Sequence, residues 1–181
     1  MMWLPFLALS GPDLSQLWCT AMGRIEDRLT ELGLALPRPF AAPPGVEFKF
    51  DLVRVSGGVA YVSGHVPTDG AEVLMRGKVG DDLTVEQGYE AARLTALAVL
   101  ASLKRELGDL DRVGGWVKAL GLVNCSPGFS KTPAVINGFS ELILDVWGEA
   151  GNHARSAIGA SELPFDVPVE VEAIVEIRPA G

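Results

Sequence analysis

From Val167 to Ile177 apolar side chains occupy every second position, and Glu170, Glu172, Ile174 and Glu176 fill the alternate ones. A period of two belongs to a strand with one packed face and one polar face. Between residues 85 and 107 the spacing changes. Ala92, Leu94, Ala96, Leu97, Val99, Leu100 and Leu103 leave a helix apolar around much of its circumference, so it lies against a sheet or within an assembly. Thr84 and Gln87 match a capping box at its start, and Gly108 supplies its stop.

The rest of the chain fills in around these two elements. Residues 25–34 predict a short helix, with Ile25, Leu29 and Leu32 on one face and Gly33 as its stop. Pro37, Pro39, Pro43 and Pro44 make an extended connector that no helix can cross. Strands follow at 48–55 and 59–64, joined at Ser56-Gly57-Gly58, whose glycines suit a tight hairpin. The stretch 67–82 reads as loop with a short strand at 72–75. A long strand at 113–123 carries a bulge at Gly114-Gly115. A second helix has Thr132 as N-cap, Pro133 at its first position and Gly148 at its end. Strands at 154–160 and 167–177 complete the chain. The order β-β-(β)-α-β-α-β-β predicts an α+β fold: a mixed sheet of five to six strands with two helices layered on one face.

Composition bounds the function. With 181 residues the chain suits one domain with a real core. A formal net charge of −8 and the lack of any basic run argue against nucleic acid as a partner. Two cysteines, Cys19 and Cys125, make no disulfide framework or metal spacing, and the only histidines are His65 and His153. No metal and no organic cofactor is expected. The apolar run 1–9 is too short for a membrane span and has no Lys or Arg before Arg24. We expect residues 1–21 to be an extension ahead of a true start at Met22, with a loosely packed segment and a signal peptide as the alternatives. Residues 22–181 form one domain, and a cytoplasmic, membrane-free protein is expected.

Few residues combine charge with a packed setting. Arg155 sits on the short strand 154–160, across a turn from the glutamate-bearing strand. Arginine is always protonated and grips a carboxylate through two parallel bonds. From pattern alone the glutamates face solvent and Arg155 makes a structural ion pair. Gly64, in Ser63-Gly64-His65-Val66-Pro67, would let a ligand approach the backbone. A Ser63–His65 nucleophile pair is disfavoured, since residues two apart on a turn seldom meet. Asn137 lies inside the second helix, where a surface position is the default. Cys125 is taken as a small buried thiol.

Read together, Ser63-Gly64-His65-Val66-Pro67, Val135-Ile136-Asn137, Ala154-Arg155-Ser156 and Leu163-Pro164 before Val169-Glu170-Val171-Glu172-Ala173-Ile174 resemble the RidA (YjgF, L-PSP endoribonuclease) family. The likeness spans roughly residues 48–179, and the long N-terminal helix favours its YjgF/chorismate-mutase-like branch. It implies a chorismate-mutase-like fold, a homotrimer with sites in the clefts between subunits, and hydrolysis of small enamine or 2-imino acids of the 2-aminoacrylate type to 2-keto acids and ammonia. Carried over, Arg155 binds the substrate carboxylate and Glu170 positions or activates water, with a raised pKa. Gly64, beside Ser63, offers backbone to the imine nitrogen, and Asn137 lines the cleft. Phe50 stands where the best-known deaminases carry a cleft tyrosine, and Ala157 where they often carry cysteine. The segment 137–155 is one residue longer. A non-catalytic trimer that binds small carboxylates and an endoribonuclease are the competing readings.

Overall fold

The computed structural model describes residues 23–42 and 44–179. The expectations for residues 1–21, Cys19 included, lie outside them. The chain runs through α1 (Arg24–Glu31), β1 (Val53–Ser56), β2 (Val59–His65), β3 (Thr68–Asp69), β4 (Glu72–Val73), α2 (Val85–Leu107), β5 (Val113–Asn124), α3 (Thr132–Trp147), β6 (Ala154–Ala160) and β7 (Val169–Ile177). Five strands form one mixed sheet in the order β1-β2-β7-β5-β6, with β5 and β6 parallel and the other pairs antiparallel. β3 and β4 make a separate small hairpin.

Helices α2 and α3 cover one face. Ala60 and Val62 of β2, Ala119 and Val123 of β5, and Val169, Val171, Ala173 and Val175 of β7 are buried there against Leu100, Leu103, Ile136, Phe139 and Ile143. The glutamate-bearing face of β7 is the open one. α2 has the expected limits, with the Gln87 N–H donating to Thr84 Oγ1 at 3.2 Å and the Thr84 N–H to Gln87 Oε1 at 2.9 Å. Where α3 crosses α2, Gly138 admits the backbone of Tyr89 into space a Cβ would fill. Gly57 and Gly58 turn β1 into β2 at φ 59° and 79°, the left-handed pair a two-residue hairpin requires.

Several boundaries differ from expectation: α1 stops at Glu31 rather than at residue 34, β4 stops at Val73 rather than at residue 75, and three further differences have a visible cause. The strand expected over 48–55 starts only at Val53. Its earlier half leaves the sheet because Phe48 and Leu52 turn into a satellite cluster with Phe40, Val66 and Val167. Thr132 is not the N-cap of α3: Lys131 precedes the helix, and the Thr132 hydroxyl donates to Ala157 O on β6 at 3.1 Å, tying helix to edge strand. The last strand begins at Val169, after Phe165 and Asp166 turn through φ 60° and 57°. The bulge at Gly114-Gly115 is present, as a register shift between Val113 and Gly115. No helix among the described residues is long and apolar enough to cross a membrane.

Candidate functional site

Arg155 lies on β6, the edge strand, level with buried Ala119, so its side chain rises on the helix side of the sheet. Three bonds to α3 hold its guanidinium. Nη1 donates to Asn137 Oδ1 and to Ser140 Oγ, both at 3.0 Å, and Nη2 donates to Pro133 O at 3.3 Å. Asn137 and Ser140 are three apart on α3 and therefore share a helix face. A guanidinium has five N–H groups in a fixed plane. Nε–H and one Nη2–H thus remain without a partner among the described residues, and no carboxylate pairs with this cation there. Burial lowers the Arg155 pKa, yet arginine stays charged. A cavity of ≈ 230 Å³ lined by Ser140, Leu144, Asn152, His153 and Arg155 opens beside it. The arrangement offers a rigid cation with two donors to spare.

Glu170 belongs to a different place. Two residues of β2, Ser63 and Gly64, face the single Glu172 of β7 between the pairs Val62–Ala173 and His65–Val171, which makes a β-bulge. The bulge has two consequences. It reverses the alternation, so His65 turns into the core and is fully buried. It also brings Gly64 under the Glu170 carboxylate, where any Cβ would collide with Oε1. The need here is space rather than backbone freedom. Burial, and secondarily the Glu172 carboxylate, raises the Glu170 pKa, the direction that suits a group exchanging protons with substrate.

The neighbours of this second place follow from the same bulge. The Ser63 hydroxyl donates to Asp51 O at 2.7 Å, and its N–H donates to Leu52 O at 3.0 Å. Phe50 stands next to that tether, 55% exposed and stacked on Phe48 with centroids 5.1 Å apart. The His65 ring bonds the backbone carbonyl of Ser63 at 2.7 Å and Ser102 Oγ at 2.8 Å. It makes no bond to the Ser63 hydroxyl, in keeping with the low standing of that pair. Burial lowers the His65 pKa to about 4, helped by the Arg105 charge and opposed by the bond to Ser63.

The sequence-predicted residues therefore fall into two groups: Arg155 with Asn137, and Glu170 with Gly64, Ser63 and Phe50. One chain does not unite them. Glu170 pairs across to Leu122 on the open face, two strands from β6, whereas Arg155 faces the helices. Two strand spacings are roughly 10 Å, and a three-residue offset along the strands adds about 10 Å. Sequence reasoning missed Ser140 and His153, which the structure places against Arg155. The signal was present: Ser140 is one helical turn beyond Asn137, and His153 lies two positions before Arg155, just ahead of β6. Among the described residues no group of three His, Cys, Asp or Glu gathers to hold a metal.

With this geometry in place, known proteins can be compared. The family described as "YjgF/chorismate mutase-like, putative endoribonuclease" matches residues 26–176. The chain belongs to this YjgF/RidA family. Protein TCP17 of Trypanosoma cruzi is 44% identical over 159 residues, covering 87% of this chain and 97% of that protein. Atu1372 of Agrobacterium tumefaciens is 40% identical with a TM-score of 0.78, over 86% of this chain and 93% of its own. A Shewanella oneidensis structure described as "a putative endoribonuclease" is 31% identical with a TM-score of 0.77, over 84% and 99%.

Proposed function

We propose that this YjgF/RidA protein hydrolyses small enamine or 2-imino acids to 2-keto acids and ammonia, in sites assembled between copies of the chain. The observation that carries the reading is Arg155, fixed by three bonds to α3 with two donors left over. A small carboxylate satisfies both donors at once. The substrate carbon next to it is already electrophilic, so orientation and one proton-exchanging group suffice for water to add. Glu170, whose pKa burial raises, positions or activates that water. Gly64, with no side chain, makes room for that carboxylate.

Assembly is part of the proposal, because Arg155 and Glu170 lie on opposite faces of one sheet. A second copy whose β6 edge lies over the open face of the first would bring its own Arg155 group to the Glu170 group there. That face carries Tyr61 and Ile158, 48% and 52% exposed, with Leu120, Leu122 and Ile174 half-buried. Such a surface favours burial against another subunit. A homotrimer is the arrangement we expect.

The test is a coupled assay in which an amino-acid oxidase generates imines in the presence of semicarbazide as a competing trap. Faster keto-acid formation with the protein supports the reading. No acceleration across a panel of imino acids sinks it. The family description favours one other activity, RNA cleavage, and a net charge of −8 weighs against it. Cleavage of RNA that survived Arg155→Ala would move the assignment there.

A further inference from the structure

The polar network around Arg155 continues one step past the residues that hold it. The His153 Nδ1 lies 2.7 Å from Gly151 O, and its Nε2 lies 3.0 Å from Ser140 Oγ. A carbonyl oxygen only accepts, so Nδ1 carries the hydrogen and the neutral ring presents Nε2 as an acceptor. Ser140 must then donate its own hydrogen to Nε2, while it accepts from Arg155 Nη1 at 3.0 Å. A hydroxyl oxygen has two lone pairs. One is taken by Arg155, and the other is left for a group in the adjoining cavity, which Ser140, His153 and Arg155 all line. The ring itself is held edge-on to Phe139, with centroids 6.2 Å apart at 89°.

We infer that Ser140 and His153 form the proton-exchanging arm of the Arg155 site, on the same chain as the cation. The inference rests on the deaminase reading and assigns it a proton carrier that does not depend on a second copy. In the first step a water oxygen bonds to C2 of the imine, one water proton leaves, and the nitrogen gains a proton. In the second, the new hydroxyl loses its proton, the C2–N bond breaks with its electron pair going to nitrogen, and the nitrogen gains another proton to leave as ammonia. Each step moves one proton from oxygen to nitrogen, with no net gain or loss. Ser140 can take the proton from oxygen while passing its own to His153 Nε2. The protonated ring then donates back to Ser140, whose hydrogen turns toward nitrogen. Ser140 touches the substrate, and His153 is a positioning residue that acts through it.

Two measurements on the full-length assembled protein decide the matter. In the imine assay, His153→Gln keeps a hydrogen-bond acceptor for Ser140 but cannot carry the proton. We expect kcat to fall about 100-fold with KM held within roughly two-fold. Ser140→Ala should do the same. A change in KM alone, or no change, would mean that the pair only props up Arg155, and it overturns the inference. The second measurement follows the His153 ring nitrogens by NMR at one fixed pH, with and without 2-oxobutyrate. A carboxylate seated on Arg155 changes the charge beside Ser140, so the Nε2 signal should shift when the ligand binds. If it shifts while wild-type turnover is absent, the deaminase reading fails and only the hydrogen-bonded link from the Arg155 anion site to His153 stands. A signal indifferent to 2-oxobutyrate sinks the arm whatever the turnover.

Discussion

The edge and the centre of the sheet treat charge in opposite ways. At the β6 edge, Arg155 is a permanent cation whose position is fixed by three bonds to α3 and whose remaining donors have no partner among the described residues. On the open face, Glu170 is a titratable acid pressed against the Gly64 backbone, partly desolvated and next to a like charge. The first suits binding, because its charge does not change with pH and its geometry costs nothing to reorganise. The second suits proton exchange, because burial holds its pKa above the ordinary range. The bland expectation that these charges are surface decoration fails for a physical reason. Arg155 has no carboxylate partner among the described residues, and Glu170 packs where a side chain on residue 64 would collide with it.

The comparison breaks first at Arg155. Arg155→Ala removes two charge-assisted bonds to substrate, so kcat/KM should fall about 1,000-fold, ~4 kcal/mol. A loss below roughly ten-fold in the imine assay would show that the cation does not bind the substrate. The next effect lies behind the open face, at His65. Its folded pKa of about 4 is below the unfolded value of 6.5, so the unfolded state binds more protons between those limits. Stability is therefore fully present above pH 6.5 and declines by about 3 kcal/mol as pH falls to 4. His65→Gln should flatten that part of a urea-unfolding pH series. An unchanged slope would show that the ring charges in place.

Smaller effects sharpen the contrast. Gly64→Ala forces Glu170 aside and should cost about 1–3 kcal/mol as overpacking, with turnover lost before the fold is. A variant with unchanged Tm and full turnover would mean that the carboxylate is free to swing away. Glu170→Gln has the opposite sign for stability. A carboxyl whose folded pKa is raised favours the folded state below its unfolded pKa and opposes it as pH rises through the folded one. The amide should therefore raise Tm by up to ~3 °C at pH 8, and the gain should vanish near pH 4 while turnover is lost at both. A Tm that fell at pH 8 would contradict a desolvated carboxylate.

Much of the fold was legible in local chemistry. The capping box at Thr84 and Gln87, the Gly57-Gly58 turn and the two-residue alternation of β7 act over a few residues, so they read directly from sequence. Thr132 was misread because its hydroxyl has a distant acceptor on β6, which outcompetes the local cap. Residues 48–52 were misread because burial of Phe48 and Leu52 beside Phe40 outweighs strand pairing.

The candidate site divides along the same line. Arg155, Glu170, Gly64 and Asn137 were marked out by the family resemblance of the short segments that carry them, since residue pattern alone left the glutamates and Asn137 at the surface. Their separation into two groups could not be read that way, because it depends on strand order and on a bulge that reverses which face each residue of β2 presents. Nor could the bonds from Ser140 to Arg155 and His153, which join the middle of a helix to an edge strand. Local pattern was enough for most of the elements and for the glutamate-bearing face of β7. That the acid lies on the far side of the sheet from the cation, and that a serine–histidine pair stands beside the cation, follows from packing across the whole sheet, which sets faces and distances.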